Sequence, residues 1–236
     1  MKLIGLISPN SSDETLTDVY KIFPKDVRIE ARTLHVAKYT DDEFHRAELT
    51  FQGLVRDLVK QPLDFLMVTG ELFLSYKGPG SDRDILNLVK QITPTPASTV
   101  LTAVTRGCRA VGLKRVVMAS PFPEDQDERL VKFLAHDGIE VVAWRGLGCP
   151  NANVIWQLAP ETGYDLSMEL LRQHPDVDGV YMPCNKWRTA SVIERIEKDS
   201  GKPVVTNTQA WTWEALQGMG MREPINGYGR LLAQGL

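Results

Sequence analysis

The chain has 236 residues, 43% hydrophobic and 24% charged, a composition suited to one large or two small globular cores. A net charge of −3, with lysines and arginines scattered, gives no basic field for nucleic acid or a membrane surface. No apolar run approaches the roughly 20 residues of a membrane span, and Met1 leads into a strand without the apolar stretch of a signal peptide, so a cytoplasmic location is expected.

Residues 3–7 form an apolar run stopped by Ser8-Pro9-Asn10, the pattern of a buried strand. Ser11 to Glu14 offer helix caps, with Leu16, Val19 and Tyr20 following at helical spacing. Residues 27–34 alternate and predict a second strand. Residues 41–60 predict a long amphipathic helix with Phe44, Leu49, Leu54, Leu58 and Val59 in the core. A third strand is expected over 64–70, a loop at Lys77 to Gly80, a helix over 84–91, an extended segment led by Thr93-Pro-Thr-Pro96, and a helix over 99–111. The signals then begin again. Strands are expected at 115–119, 140–143, 179–182 and 203–206, and helices at 124–136, 166–173, 189–198 and 209–216, with 151–161 left as loop or helix. Strands alternating with helices argue for parallel sheets covered by helices.

The two halves repeat. Ile4-Gly-Leu-Ile-Ser8-Pro9-Asn10 matches Val116-Val-Met-Ala-Ser120-Pro121-Phe122, and Asp64-Phe-Leu-Met-Val-Thr-Gly70 matches Asp178-Gly-Val-Tyr-Met-Pro-Cys184. A repeat of this length sets the architecture. Two α/β halves would face each other, with Gly70 and Cys184 meeting across a cleft of strand ends, where ligands bind in such folds. The expected division is 1–97 plus 209–236 against 98–208.

Three isolated cysteines, Cys108, Cys149 and Cys184, fit neither a disulfide framework nor a zinc site. His35, His45, His136 and His174 are also isolated, so no metal is expected. Cys108 sits in a helical apolar pattern and reads as core. Cys149 is a loop thiol. Cys184 ends a strand before polar Asn185, where amide donors and a helix amino terminus would lower its pKa, helped by Lys186 and Arg188 if they point inward. Asn10 could orient a substrate carboxylate, although turn chemistry alone explains it. Gly70 permits close backbone approach, and Glu71 is either a solvated helix-start acid or a cleft carboxylate. Gly78-Pro-Gly80 is no phosphate motif. Trp211 and Trp213 fall near the expected cleft and read as packing.

These residues carry a resemblance. Leu66-Met-Val-Thr-Gly70 with Ser75-Tyr76-Lys77-Gly78, then Gly112 to Val116, Tyr181-Met-Pro-Cys184, and Gly201 to Val205 through Gln209-Ala210-Trp211 are similar to the aspartate/glutamate racemase superfamily. The branch is that of arylmalonate decarboxylase and maleate cis-trans isomerase. The resemblance implies two pseudo-symmetric flavodoxin-like subdomains with parallel sheets and the active site between them. Racemases and maleate isomerases of this kind use two cysteines, whereas arylmalonate decarboxylases have glycine at the first position, as Gly70 is here. It therefore implies a cofactor-independent decarboxylase of a small malonate-type carboxylate, with Cys184 as a thiol that protonates the enediolate. Pro9, Asn10, Gly70, Leu72, Tyr76, Phe122 and Asn185 would line the substrate site, with the N–H groups of Glu71 and Asn185 as oxygen donors.

The departures are specific. Decarboxylases place Thr-Ser hydroxyls after the glycine, where this chain has Glu71-Leu72, and a tyrosine at the position of Phe122. An ionised Glu71 would repel a dianionic malonate by roughly 4 kcal/mol at 4 Å and an effective dielectric of 20. A cis-trans isomerase or racemase pairing Cys184 with Glu71 or Tyr76 is the alternative, and a metabolite-binding protein without turnover is another. A homo-oligomer is compatible with the sequence.

Overall fold

The computed structural model describes residues 1–10 and 16–234. The expected helix caps at Ser11 to Glu14 lie outside the described residues. Eight strands form two four-stranded parallel sheets. The first holds β1 (Lys2–Ser8), β2 (Val27–Thr33), β3 (Phe65–Val68) and β4 (Ala97–Thr99) in the order β2-β1-β3-β4. The second holds β5 (Arg115–Ser120), β6 (Glu140–Gly146), β7 (Gly179–Met182) and β8 (Val204–Thr206) in the order β6-β5-β7-β8. The orders are identical under the sequence repeat, with β1 matching β5 and β3 matching β7. Both central strands of each sheet are covered on their two faces, which is why β3 and β7 read as unbroken apolar runs, every residue buried.

The first half carries α1 (Thr17–Ile22), α2 (Asp41–Leu58), α3 (Glu71–Ser75) and α4 (Ser81–Ile92), and then α5 (Val100–Ala110). The second carries α6 (Glu124–His136), α7 (Ala152–Trp156), α8 (Pro160–Gln173), α9 (Ile193–Ser200), α10 (Asn207–Gly218) and α11 (Arg230–Ala233). None of the described helices is long and apolar enough to cross a membrane.

In α2 the Thr40 hydroxyl caps the Glu43 N–H, and acids fill the first turn, where the helix dipole favours them. The helix buries Phe44, Ala47, Phe51, Val55 and Leu58. Leu49, expected in the core, is 73% exposed. Five residues past Phe44 is about 140° around the helix, so it falls on the solvent face. Leu54 and Val59 are half-buried at the stripe's edge.

A short helix that the sequence reading did not place, α3, follows β3, with Gly70 in a left-handed conformation at its start. Two local expectations shift. The segment 151–161 resolves into α7, capped by the Asn151 side chain, and the beginning of α8 with Pro160 in its first turn. The segment 189–198 splits into a 3₁₀ turn over Ala190–Val192 and then α9.

Helices α5 and α10 pack against each other and reach both sheets, as the repeat requires of the helices that follow β4 and β8. Cys108 on α5 is fully buried, as expected. In α10 every residue from Asn207 to Leu216 is buried, and a capping box joins Thr206 to Gln209 at its start.

Candidate active site

The carboxyl ends of β1, β2, β3, β5 and β7 converge on one pocket, with a cavity volume of about 60 Å³. Ser8, Pro9 and Asn10 follow β1. Gly70, Glu71 and Leu72 follow β3. Phe122 follows β5, and Cys184, Asn185 and Lys186 follow β7. Val36, Phe44, Leu72, Phe73 and Phe122 make its walls mostly apolar. Gly70 and Cys184 share this pocket, one from each half.

Gly70 has φ +100°, in the region that L side chains avoid. A Cβ placed there would stand 2.1 Å from Cγ of Pro9 and 2.7 Å from its Cδ. Glycine is therefore required twice, by the backbone and by the proline ring.

Glu71, the next residue, is only 3% exposed. Its carboxyl meets its own N–H and the N–H of Cys184, and the Asn207 side chain stands beside it. Asn207 Nδ2 and Glu71 Oε1 are both buried without a hydrogen-bond partner among the described residues. Burial outweighs these favourable contacts and pushes the Glu71 carboxyl up to about 7. Asn207 is fixed from its other end, where its Oδ1 accepts a 2.8 Å bond from the buried Tyr181 hydroxyl. The N–H expected to serve substrate at residue 71 is thus directed at the residue's own carboxyl.

Cys184 adopts φ +77°, one of two non-glycine residues with positive φ among those described. The residue is 8% exposed. The N–H groups of Lys186 and Trp187 face the sulfur and favour the thiolate, as does the charge of Lys186. Burial and the neighbouring Glu71 carboxyl win, and the thiol's pKa lies well above its ordinary value. This reverses the expected depression. The helix expected directly after Cys184 is displaced: a 3₁₀ turn over Ala190–Val192 comes first and α9 begins only at Ile193. Lys186 and Arg188 are drawn over the Trp156 ring, 6.0 and 4.6 Å from its centroid.

A polar scaffold holds the walls. Thr208 at the start of α10 donates to Oδ1 of Asn185 at 3.4 Å. Ser120 Oγ donates to buried Asp127 and accepts from Phe122 N–H at 3.1 Å, which fixes the turn that carries Phe122. Burial also pushes the Asp127 carboxyl up to about 7.

Of the expected site residues, Cys184, Glu71, Pro9, Asn10, Gly70, Leu72, Phe122 and Asn185 come together in the pocket. Tyr76 does not. It lies at the end of α3, donates to Glu48 at 2.6 Å and stacks on Phe73, with Lys77 over its ring. Trp211 is buried against Phe23, and Trp213 borders a separate surface groove. Sequence reasoning missed Val36 and Tyr39, which follow β2, and Asn207 with Tyr181 behind Glu71. The position of Tyr39 just beyond a strand's carboxyl end was the available signal. Asn207 offered only a helix-start residue among many.

The sequence profile of the family described as arylmalonate decarboxylase matches residues 4–232. The chain is 28% identical over 229 residues to the arylmalonate decarboxylase of Bordetella bronchiseptica, covering 97% of this chain and 95% of that one. A maleate isomerase of Pseudomonas putida is 24% identical, covering 98% and 96%. Among solved structures, a liganded double mutant of arylmalonate decarboxylase superposes with a TM-score of 0.91 at 25% identity, over 99% of this chain and all of the other.

Proposed function

The chain belongs to the arylmalonate decarboxylase family, and from that premise we propose that it decarboxylates a small malonate-type acid without a cofactor, using Cys184 as the proton donor. The observation that supports this reading is a buried, protonated thiol at a strand end, with Glu71 beside it and glycine where a second thiol would stand.

The substrate loses one carboxylate as carbon dioxide, and the electron pair of the broken C–C bond passes into an enediolate. The Cys184 S–H bond then breaks, its proton joins the α-carbon, and the product leaves as a monocarboxylate. A thiol still carrying its proton is the form this step needs. The thiolate left behind is met by the N–H groups of Lys186 and Trp187, which would steady it until a proton returns. Glu71, half protonated near pH 7, is placed to return that proton.

This role also answers the repulsion problem. Protonated Glu71 carries no charge to set against the substrate's carboxylates. The small cavity and its walls of Val36, Phe44 and Leu72 favour a small apolar substituent on the α-carbon. Glu71 facing Cys184 supports a second reading, in which the two groups act as an acid/base pair in racemisation or isomerisation.

Incubation with methylmalonate, phenylmalonate and maleate in deuterium oxide, followed by NMR, separates the readings. The decarboxylase reading expects carbon dioxide release and a singly deuterated monocarboxylate, with methylmalonate preferred to phenylmalonate. Formation of fumarate from maleate, or enzyme-dependent α-deuteration of methylmalonate without carbon dioxide, would establish the second. Undiminished decarboxylation by Cys184→Ala would remove Cys184 from the mechanism.

A further inference from the structure

Decarboxylation leaves negative charge on two oxygens of the enediolate, and a site that stabilises it must aim neutral or positive donors there. The pocket has few. Phe122 offers a ring edge only, the N–H of Glu71 is turned to its own carboxyl, and Asn185, its Oδ1 held by Thr208, has the Nδ2 of its amide to offer. Tyr39, on the segment after β2, lines the same pocket.

Its ring stands edge-on to Phe122, with centroids 5.7 Å apart and planes at 87°. Its backbone carbonyl accepts from Nε2 of Gln126, a buried residue of α6, at 3.5 Å. The ring is thus held between a loop of the first half and a turn and helix of the second. Among the described residues its hydroxyl has no hydrogen-bond partner. The phenol is near enough to Cys184, Glu71 and Cys149 to feel their charges, and burial with those charges keeps it protonated throughout the working pH range. A neutral O–H donor of the first half therefore lines the same pocket as the thiol.

We infer that Tyr39 is a catalytic residue whose hydroxyl donates to the substrate oxygen that becomes part of the enediolate. The inference rests on the decarboxylase reading for its chemistry and on the pocket geometry for its place. It assigns the two halves separate tasks: the second delivers the proton, and the first holds the charge.

The test is Tyr39→Phe, which keeps the ring and its contact with Phe122. Two readouts are needed. With methylmalonate, kcat is expected to fall on the order of 100-fold or more, the cost of losing one donor to a developing oxyanion, while KM changes less than about threefold. With ethylphosphonate, an inert anion, calorimetry is expected to show binding weakened roughly tenfold or more, as for a lost hydrogen bond to a charged group. The melting temperature should be unchanged.

An unchanged kcat, or equal ethylphosphonate affinity, overturns the inference. Wild-type protein that binds ethylphosphonate through Tyr39 but releases no carbon dioxide from any malonate sinks the decarboxylase reading and leaves Tyr39 as an anion donor. Wild-type turnover matched by Tyr39→Phe does the reverse. Neither binding nor turnover by wild type overturns both.

Discussion

Glu71→Gln tests whether a carboxyl is kept inside the pocket at an energetic cost. Burial raises its pKa from 4.5 to about 7. A difference of about 2.5 units, at roughly 1.4 kcal/mol each, is on the order of 3 kcal/mol between the two protonation states. The sign follows from proton counts. The folded pKa exceeds the unfolded one, so between them the folded state binds more protons, and stability falls as pH rises from about 4.5 to about 7. Above that it is flat. Glutamine cannot titrate and is free of this loss. The stability of Glu71→Gln relative to wild type is therefore expected to grow by roughly 2 to 3 kcal/mol between pH 5 and pH 8. Asp127 has a similarly raised carboxyl, but it is present in both proteins and cancels in the difference. Urea unfolding at several pH values, read as the difference between the two proteins, is the assay. Parallel profiles, differing by less than about 0.5 kcal/mol across the range, would refute the placement of a desolvated carboxyl beside Cys184.

Further expectations concern the thiol and the glycine facing it. Cys184→Ser is expected to lower kcat by about 10³-fold in a carbon-dioxide release assay while leaving the melting temperature nearly unchanged, because the hydroxyl fits the space but is a poorer proton donor. Wild-type activity should decline above pH 7 as Glu71 loses its proton, and a Glu71→Gln profile that keeps that limb would remove Glu71 from proton return. Cys184→Gly should be more stable than Cys184→Ala by about 1 kcal/mol in chemical unfolding, because only glycine is unstrained at φ +77°. Gly70→Cys should cost more than about 2 kcal/mol, from its left-handed backbone and the collision with Pro9, and Gly70→Cys with Pro9→Ala should recover part of it.

Most of the architecture was legible because buried parallel strands write themselves as apolar runs, and because the chain writes them twice. Leu6 and Met118, or Val68 and Met182, hold matching places in sheets of identical strand order. What was misread depended on geometry that periodicity does not carry. Leu49 looks apolar in a helix, yet its angle around the axis sets it outside. Tyr76 follows the glycine turn closely enough to suggest the pocket, but α3 rotates it toward Glu48. The thiol's pKa was misjudged because a strand end followed by a helix was assumed to aim a dipole at the sulfur, whereas the chain first spends Asn185 to Val192 on turns. Tyr39 and Asn207 reach the site from segments with no motif, and only the fold brings them there.

The steric relation between Gly70 and Pro9 bears on why the site is asymmetric. A two-thiol site needs matching side chains on the strand ends of both halves. Cys184 carries its side chain on a left-handed backbone at the pocket, whereas at Gly70 the direction a side chain would take is filled by the ring of Pro9. The acid that stands opposite the thiol therefore comes from the next residue. Glu71 enters from the first turn of α3 and lies against the N–H of Cys184 itself. That shift moves the second titrating group off the face a second thiol would occupy and onto the thiol's own flank. On the proposed decarboxylase reading, a group in that position is placed to return a proton to Cys184. The same geometry that admits only glycine at residue 70 thus leaves Cys184 as the one thiol at the paired strand ends, and the proposed decarboxylation needs one proton donor.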